Sequence, residues 1–351
     1  NKIRRLNEFL KSMELYSTYS DELNEKWEAQ AKFFRAFMYF QLAKRHGGVI
    51  LYESLDEMTK NKARSSDADT WDMIERDLDF AIAKLPKEWQ SASDKGRVTK
   101  NVAYAFKSRA MLYAERWQSA YDAADEVVKS KQYSLVDDYS QSWKGDNSEA
   151  ILQFKYDTNN PSHSFDKDYV SLSDGYEFGG LGTPTQEMVE SYEKADGTTM
   201  DWTPYHTTNA SRPSYEDLEP RFHASIIYPG STWKGNVMEN SVNGKYGSFM
   251  AYRDQPYSYG MTTTGYFLRK LLDESLIDVK GVPSTQTWVE IRYAEVLLNK
   301  AEAAYRLNKM DEARSAMNEV RSRVDLPDKT SGGEEWFKDY RNERQVELAY
   351  E

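Results

Sequence analysis

The feature that most constrains the fold is a helical hairpin in EIRYAEVLLNKAEAAYRLNKMDEARSAMNEVRSR, residues 290–323. Both halves carry apolar residues at spacings of three and four, the periodicity of one face of an α-helix. In the first half this apolar face consists of Ile291, Ala294, Leu298, Ala301 and Tyr305. The break between the halves contains Asn308, which suits a left-handed helix end. The length of about 34 residues is that of a tetratricopeptide unit.

A second segment, TKNVAYAFKSRAMLYAERWQSAYDAADEVV, repeats this hairpin at residues 99–128. Superposing the two hairpins matches four apolar positions: Trp117 with Met310, Ala120 with Ala313, Ala124 with Met317, and Val127 with Val320. We expect N-caps at Asp21, Thr70 and Thr99, which places two further helices before this hairpin. One hairpin cannot bury its apolar face alone, so the sequence predicts a stack of helical units.

The middle of the chain has a different character. Short runs typical of strands, AILQFKY and FHASIIY, alternate with turn-rich pieces such as DGYEFGGLG. Long irregular segments in a helical protein are uncommon unless they carry function. We therefore predict one mainly α domain over residues 1–351. Residues 1–132 and 285–351 would be its helical scaffold, and residues 133–284 an irregular, ligand-binding half with short β-strands.

Composition excludes several classes of function. A net charge of -11 argues against nucleic acid, because phosphate binding requires clustered Lys and Arg. The chain has no cysteine and no apolar run of the roughly 20 residues that a membrane-spanning helix needs. It lacks the common nucleotide-binding and hydrolase motifs, and its four histidines are scattered. We expect no enzyme activity and no metal ligands, although a glycosidase-like carboxylate pair stays open.

Aromatic residues outside the helical faces are the stronger binding candidates. The chain holds 25 Tyr and 9 Trp, and the candidates in the polar loops are Tyr169, Tyr176, Phe178, Trp202, Tyr205, Trp233, Tyr257 and Tyr259. A flat ring suits the apolar C–H face of a sugar. With about 0.5–1.5 kcal/mol per stacked pair as a guide, two rings fall short of the about 4 kcal/mol of a millimolar complex. Hydrogen bonds would have to supply the rest.

The order of several segments resembles the SusD/RagB-like family of outer-membrane lipoproteins. The segments that carry the resemblance are EAQAKFFRAFMYFQLAKRHGGVILY, DMIERDLDFAIAKLP, GTPTQEMVESYEKADG, WVEIRYAEVLLNKAEAAYRLNKMDEARSAMNEVRSRVDLP and NERQVELAYE. This resemblance implies tetratricopeptide-like hairpins that form a cradle, with an irregular half resting on it. It also implies a sugar site just before the PTQEMVESY segment, where Tyr176 and Phe178 lie.

The same resemblance implies a function at the cell surface. Members are lipid-anchored on the outer face of the outer membrane, where they pass captured glycans to a SusC-like, TonB-dependent transporter. The chain carries neither the lipidated cysteine nor the family's Arg/Asp motif after ELAYE, so we expect both native ends to lie outside it. Peptide or glycopeptide capture, a protein-interaction scaffold, and calcium held by the loops stay open, as does the identity of the glycan.

Overall fold

In the computed structural model, the chain up to residue 130 is largely helical. Its long helices are α1 (Lys2–Tyr16), α2 (Asp21–His46), α3 (Asp67–Lys84), α4 (Lys100–Tyr113) and α5 (Trp117–Ser130). Consecutive helices pack as hairpins, and alanines at the α4–α5 crossing, among them Ala103, Ala120 and Ala124, are fully buried. Small side chains at these positions let the two helices approach closely. The predicted mainly α fold is confirmed.

Of the three N-cap residues predicted from the sequence, one is confirmed and two are wrong. Thr99 caps α4 by accepting a hydrogen bond from the backbone N–H of Val102 at 3.5 Å. Thr70 does not cap α3, because Ser66 and Asp69 form a capping box one turn earlier. Asp21 is likewise the first residue of α2, and Ser20 before it accepts from the N–H of Leu23. In both cases an upstream serine outcompetes the predicted residue.

Contacts between aromatic side chains and one buried ion pair hold the first helices together. Phe33, Phe37 and Phe40 of α2 place their rings within 5.5 Å of the ring of Phe106 on α4. On the α3 side of α2, Arg35 donates to both carboxylate oxygens of Asp77, at 2.7 and 2.8 Å. The same guanidinium donates to Asn7 of α1 at 3.0 Å. Arg35 therefore ties three helices together.

We predict that Arg35→Ala destabilises the protein by about 3–5 kcal/mol, because the carboxylate of Asp77 would stay buried without its partner. Chemical denaturation measures the free energy of unfolding. Arg4→Ala is the matched control, since it breaks an ion pair with Glu8 in which both side chains are exposed, and its expected cost is below about 1 kcal/mol. Equal losses in the two variants would contradict this account of Arg35.

The hairpin first recognised in the sequence forms α9 (Tyr293–Arg306) and α10 (Met310–Ser322). Asn308 between them has a φ of 60°, which confirms its predicted left-handed conformation. Ile291 was assigned to the apolar face of the first helix, and this assignment is wrong. It lies in a strand, pairs with Leu152 and is buried. The strand passes directly into α9 with no turn residue to mark the change.

The rest of the chain combines short elements. The strands are β1 (Ala150–Phe154), β2 (Ile226–Ile227), β3 (Thr232–Trp233), β4 (Asn236–Val237), β5 (Phe267–Leu268) and β6 (Trp288–Arg292), paired antiparallel as β1–β6, β2–β5 and β3–β4. The helices are α6 (Phe165–Tyr169), α7 (Gln186–Glu190), α8 (Pro220–Ser225) and α11 (Gly333–Glu347). The run AILQFKY forms a strand as predicted. The first half of FHASIIY instead ends α8, since Pro220 starts a helical turn.

Contacts divide the chain into two units. The first unit contains residues 1–134 and 295–316, and the second contains residues 135–294 and 317–351. Residues 285–294 and 317–351, which were predicted as helical scaffold, therefore group with the irregular region. The structure describes residues 1–59, 61–159, 161–176, 178–206, 213–241, 244–245, 261–262 and 264–351. None of the helices in these ranges combines the length and apolar character that a membrane-spanning helix requires.

A set of paired charges, most of them buried, crosses the second unit. We call it the arginine–glutamate network; its members are Arg221, Arg292, Arg321, Arg323, Lys270, Lys329, Glu149, Glu193, Glu219, Glu343, Glu347 and Glu351. At its centre Arg292 Nη1 lies 2.5 Å from Glu347 Oε1 and 2.7 Å from Glu149 Oε1. The network therefore fastens the end of β6 to α11 and to the residue before β1.

Titration of this network couples its charges to folding. Burial alone would raise the pKa of Glu347, but the guanidinium groups of Arg323, Arg292 and Arg221 outweigh it and hold this pKa well below the ordinary 4.5. Glu219 differs, because burial raises its pKa despite the neighbouring Arg221. Lys270 is also shifted, since burial lowers its pKa to about 8 although Glu351 opposes the change.

We predict acid sensitivity that depends on Glu347. Its pKa is lower in the folded protein than in the unfolded chain, so below about pH 4.5 the unfolded chain binds protons first and the free energy of unfolding falls. Glu347→Gln should cost about 3–5 kcal/mol at neutral pH and flatten this decline. Denaturation between pH 3 and pH 7 measures both effects.

The control for this experiment is Glu14→Gln, which changes an exposed carboxylate paired with Lys11. It should leave the pH profile as in the wild type. An acid profile that is equally steep in the Glu347→Gln variant would show that the buried network does not govern acid stability.

Candidate functional site

The second unit contains a cavity of about 940 Å³ with a wall rich in rings. We call it the aromatic cavity; its ring-bearing residues are Trp143, Tyr156, His163, Phe165, Tyr169, His223, Trp233 and Trp288. Its charged and amide residues are Lys144, Asp168, Arg269, Asp273, Glu274 and Gln286. A volume near 1,000 Å³ lies at the upper end of the usual range for small-molecule pockets, roughly 300–1,000 Å³.

One wall is built by the short helix α6. Its sequence FDKDY places Phe165, Asp168 and Tyr169 three and four residues apart, so these three side chains share one face. The rings of Phe165 and Tyr169 have centroids 4.5 Å apart. Gly182 lies so close to the Tyr169 ring that a Cβ there would stand 2.9 Å from Cε1. A side chain at residue 182 would therefore displace this ring.

A second wall follows the β1–β6 pair. Trp288 begins β6 opposite Phe154, and Tyr156 follows two residues after the end of β1. The ring of Tyr156 meets His163 edge-on at a centroid distance of 4.7 Å. His163 Nδ1 accepts from the backbone N–H of Phe165, so its Nε2 is the nitrogen that donates to the Gln286 carbonyl at 3.0 Å. These bonds fix the orientation of the imidazole.

The third wall is the segment 269–275 with Trp233 beside it. Arg269 Nη2 lies 3.0 Å from Glu274 Oε2, and its guanidinium stands 5.8 Å from the centroid of the Trp233 ring. Asp273 Oδ1 accepts hydrogen bonds from the N–H and the hydroxyl of Ser275, at 2.9 and 2.6 Å. Carboxylates, a guanidinium and rings thus face one space, an arrangement that suits a ligand with both apolar faces and hydroxyl groups.

The buried carboxylate of Asp166 holds these walls together. Its Oδ1 accepts from the backbone N–H of Asp273 at 2.7 Å, and its Oδ2 accepts from the amide of Gln286. Its own backbone N–H donates to Ser284 Oγ at 2.9 Å. One fully buried residue therefore links α6 to the segments before and after residue 280.

We predict that Asp166→Ala costs about 1–3 kcal/mol, because buried donors lose their acceptor, and that the walls loosen. Denaturation measures the first effect, and amide hydrogen exchange at Asp273 the second. Glu8→Ala is the control, since that carboxylate and its partner Arg4 are both exposed. Unchanged exchange at Asp273 in the Asp166→Ala variant would refute this role.

The structure brings two of the sequence-predicted aromatics into the cavity, Tyr169 and Trp233. Trp233 is only 1% exposed, and its Nε1 donates to Asp174 Oδ2 at 2.9 Å. Tyr176 packs on the same hydrophobic core as Tyr169, with Lys167 Nζ 5.1 Å from its ring centroid. Phe178 meets Tyr176 edge-on at 5.8 Å and is 52% exposed. Tyr176 and Phe178 do not line the cavity.

The other predicted aromatics lie elsewhere. Trp202 is 5% exposed in a different hydrophobic core, and Tyr205 packs against that core with its ring 6.2 Å from Trp202. Tyr257 and Tyr259 lie outside the described residues.

Sequence reasoning missed most of the cavity wall: Trp143, Tyr156, Phe165, Trp288, Arg269, Asp273 and Glu274. The single usable signal was the alternation that ends at Tyr156, since the other residues are brought together only by folding.

The described residues offer no obvious metal centre. Nowhere in them do three or more His, Asp or Glu side chains converge so that they could hold an ion. His223 at the cavity wall is held by Tyr228, whose hydroxyl lies 3.2 Å from Nδ1, and by the Leu218 carbonyl. Burial lowers the pKa of His223, although the Leu218 carbonyl opposes the shift, so its imidazole is neutral at pH 7.

Comparison with known proteins places this architecture in a family. The sequence model described as "SusD family" matches residues 126–351, which is more than half of the chain. The chain belongs to the SusD family. A second model, described as "Starch-binding associating with outer membrane", matches residues 1–112. The predicted family is thereby confirmed.

Individual relatives agree with this assignment. A SusD-like protein of Bacteroides ovatus is 26% identical over 95% of this chain and 58% of its own length. SusD-like protein P38 of Formosa agariphila is 23% identical over 85% of this chain and 57% of its own length. The chain thus spans a little over half of these curated relatives.

Solved structures of SusD-like proteins superpose closely. One from Bacteroides fragilis is 31% identical, with a TM-score of 0.84 over 99% of this chain and 71% of that one. Another from the same species, named as a SusD-like carbohydrate-binding protein, is 27% identical, with a TM-score of 0.85 over 99% of this chain and 68% of that one.

Proposed function

We propose that this protein captures oligosaccharides at the cell surface and that the aromatic cavity is its binding site. The observation that carries the proposal is the meeting of Tyr156, Tyr169 and Trp288 with Asp168, Asp273 and Arg269 around one cavity. Rings of this kind stack on the apolar faces of sugars, and the charged groups hydrogen-bond to hydroxyls. The carbohydrate-binding name of a 27% identical relative supports the same class of ligand.

The energetics fit a ligand that touches several rings. With about 0.5–1.5 kcal/mol per stacked ring, three rings supply about 1.5–4.5 kcal/mol, from over a third to all of the about 4 kcal/mol of a millimolar complex. Hydrogen bonds to charged groups add about 1.5–3 kcal/mol each. We therefore infer an extended oligosaccharide as the ligand. Tyr176 and Phe178 would flank the site, while Tyr257 and Tyr259 stay predictions from the sequence.

We further propose that capture serves an uptake system of the SusC/SusD type. A SusC-like, TonB-dependent transporter would receive the glycan, and a lipid anchor would hold the protein on the extracellular face of the outer membrane. The outer-membrane description of the second matching family supports this location. The proposed role is binding without cleavage, without a cofactor and without nucleic acid. Binding that depends on calcium in the loops would be a different outcome of the binding test. Binding of peptides by the same type of uptake system would be another.

We predict that Tyr169→Ala and Trp288→Ala each weaken binding about two- to tenfold, because each removes one stacking face, and that the double variant weakens it about four- to hundredfold. The measurement is affinity electrophoresis against a polysaccharide panel, followed by calorimetry on the glycan that binds. Tyr16→Ala is the control, since Tyr16 is an exposed tyrosine on α1 outside the cavity. The expected affinity is the same with and without EDTA.

Three results would contradict the proposal. Full affinity in the double variant would place the site elsewhere, with Tyr176→Ala and Phe178→Ala as the next variants to compare. Binding of peptides but of no glycan would show that the protein captures peptides instead. Release of shorter sugars from a bound glycan would establish an enzyme.

A further inference from the structure

We propose that the aromatic cavity selects neutral glycans and rejects those that carry carboxylate or sulfate groups. This inference rests on the proposed function and adds the charge class of the ligand. Its basis is the balance of charges in the wall, where Asp168, Asp273 and Glu274 face Arg269 and Lys144.

The carboxylates are held in place by neighbouring groups. Asp168 Oδ2 accepts from the hydroxyl of Ser164 at 2.6 Å, and Asp273 Oδ1 accepts from the hydroxyl of Ser275 at 2.6 Å. Carboxylate oxygens fixed in this way accept hydrogen bonds from sugar hydroxyls. They repel a carboxylate or sulfate brought into the same space, because like charges a few ångströms apart disfavour each other in a partly desolvated site.

The cations of the wall do not offset this repulsion. Arg269 is already paired with Glu274 at 3.0 Å, so its charge is largely neutralised before a ligand arrives. His223 is buried against Leu218 and Tyr228 and adds no positive charge at neutral pH. Lys144 is exposed and is a single charge against two carboxylates that are not paired with Arg269.

The net charge of the whole second unit is negative, so its electrostatic field repels anions as the cavity carboxylates do. Residues 135–294 and 317–351 contain 32 Asp and Glu against 19 Lys and Arg, whereas the first unit contains 25 against 27. The arginine–glutamate network contains six of these cations and six of these glutamates, so its pairs leave the excess of negative charge unchanged. An approaching polyanion therefore meets a negative potential within a Debye length of about 8 Å at physiological salt.

The test compares maltohexaose, cellohexaose and laminarihexaose with the C6-carboxylated form of each, by calorimetry. For the neutral glycan that binds most tightly, the wild type should prefer the neutral form by about tenfold or more, a difference of about 1.4 kcal/mol. The preference should shrink when NaCl is raised from about 20 mM to about 500 mM, because salt screens the repulsion.

Two matched variants test whether the carboxylates of the cavity cause the preference for the neutral glycan. The cavity variant Asp168→Asn, Asp273→Asn, Glu274→Gln should reduce the preference to about threefold or less, because the local repulsion is gone. The control variant Glu187→Gln, Asp196→Asn, Asp201→Asn removes the same charge from exposed positions of the same unit and should retain the preference. Circular dichroism checks the fold of both variants. If the cavity variant is unfolded, the salt series on the wild type decides whether electrostatic repulsion causes the preference.

The outcomes separate the two proposals. Equal or tighter binding of a carboxylated form, or an equal loss of preference in both variants, overturns selection by the cavity while glycan capture stands. Absence of binding to all of these oligosaccharides and to every member of the polysaccharide panel overturns glycan capture itself.

Discussion

The interaction on which the second unit depends is the pairing of Arg292 with Glu347. Arg292 ends β6 and Glu347 ends α11, so the pair joins a strand to a helix across 55 residues of sequence, and both side chains are buried. A buried charge without a partner is destabilising by several kcal/mol. Short strands and helices of five or six residues have little stability alone, and the network gives them a shared and directional anchor.

The arginine–glutamate network also supports the wall of the aromatic cavity. Lys270 of the network stands between Arg269 and Leu271, which both line the cavity, and its ammonium donates to the hydroxyl of Tyr139 at 2.8 Å. The ring of Tyr139 in turn meets Trp143 of the cavity wall at 5.3 Å. Asp166 ties the same segment to α6 through the backbone N–H of Asp273 and also holds Gln286. The cavity is therefore framed by buried polar contacts, while Tyr156, Tyr169 and Trp288 stay partly exposed in its wall.

The helices were predictable because their information is local. Spacings of three and four, the cap at Thr99 and the left-handed Asn308 each lie within a few neighbouring residues. The errors arose where two elements meet without a break, as at Ile291 in β6, and where Pro220 starts a helical turn within an apolar run. Ile291 is placed by pairing with Leu152, far away in the chain, which periodicity does not contain, whereas Pro220 is a local helix-start signal that the apolar run outweighed.

The cavity was less predictable than the fold for the same reason. Tyr169 and Trp233 were chosen for their polar surroundings, but Tyr156 and Trp288 lie over 130 residues apart and meet only through the β1–β6 pair. Trp202 satisfied the same criterion and is a core residue. Polar neighbours in sequence thus indicate a loop, whereas only the folded chain decides which rings of that loop are buried.

Hydrogen–deuterium exchange of the wild-type protein with and without a bound oligosaccharide tests most directly whether the aromatic cavity is the binding site. The bound glycan should slow exchange in three segments of the second unit, residues 163–169, 269–275 and 286–288. Slower exchange confined to the first unit, or to the core around Trp202, would contradict the assignment of the aromatic cavity as the binding site.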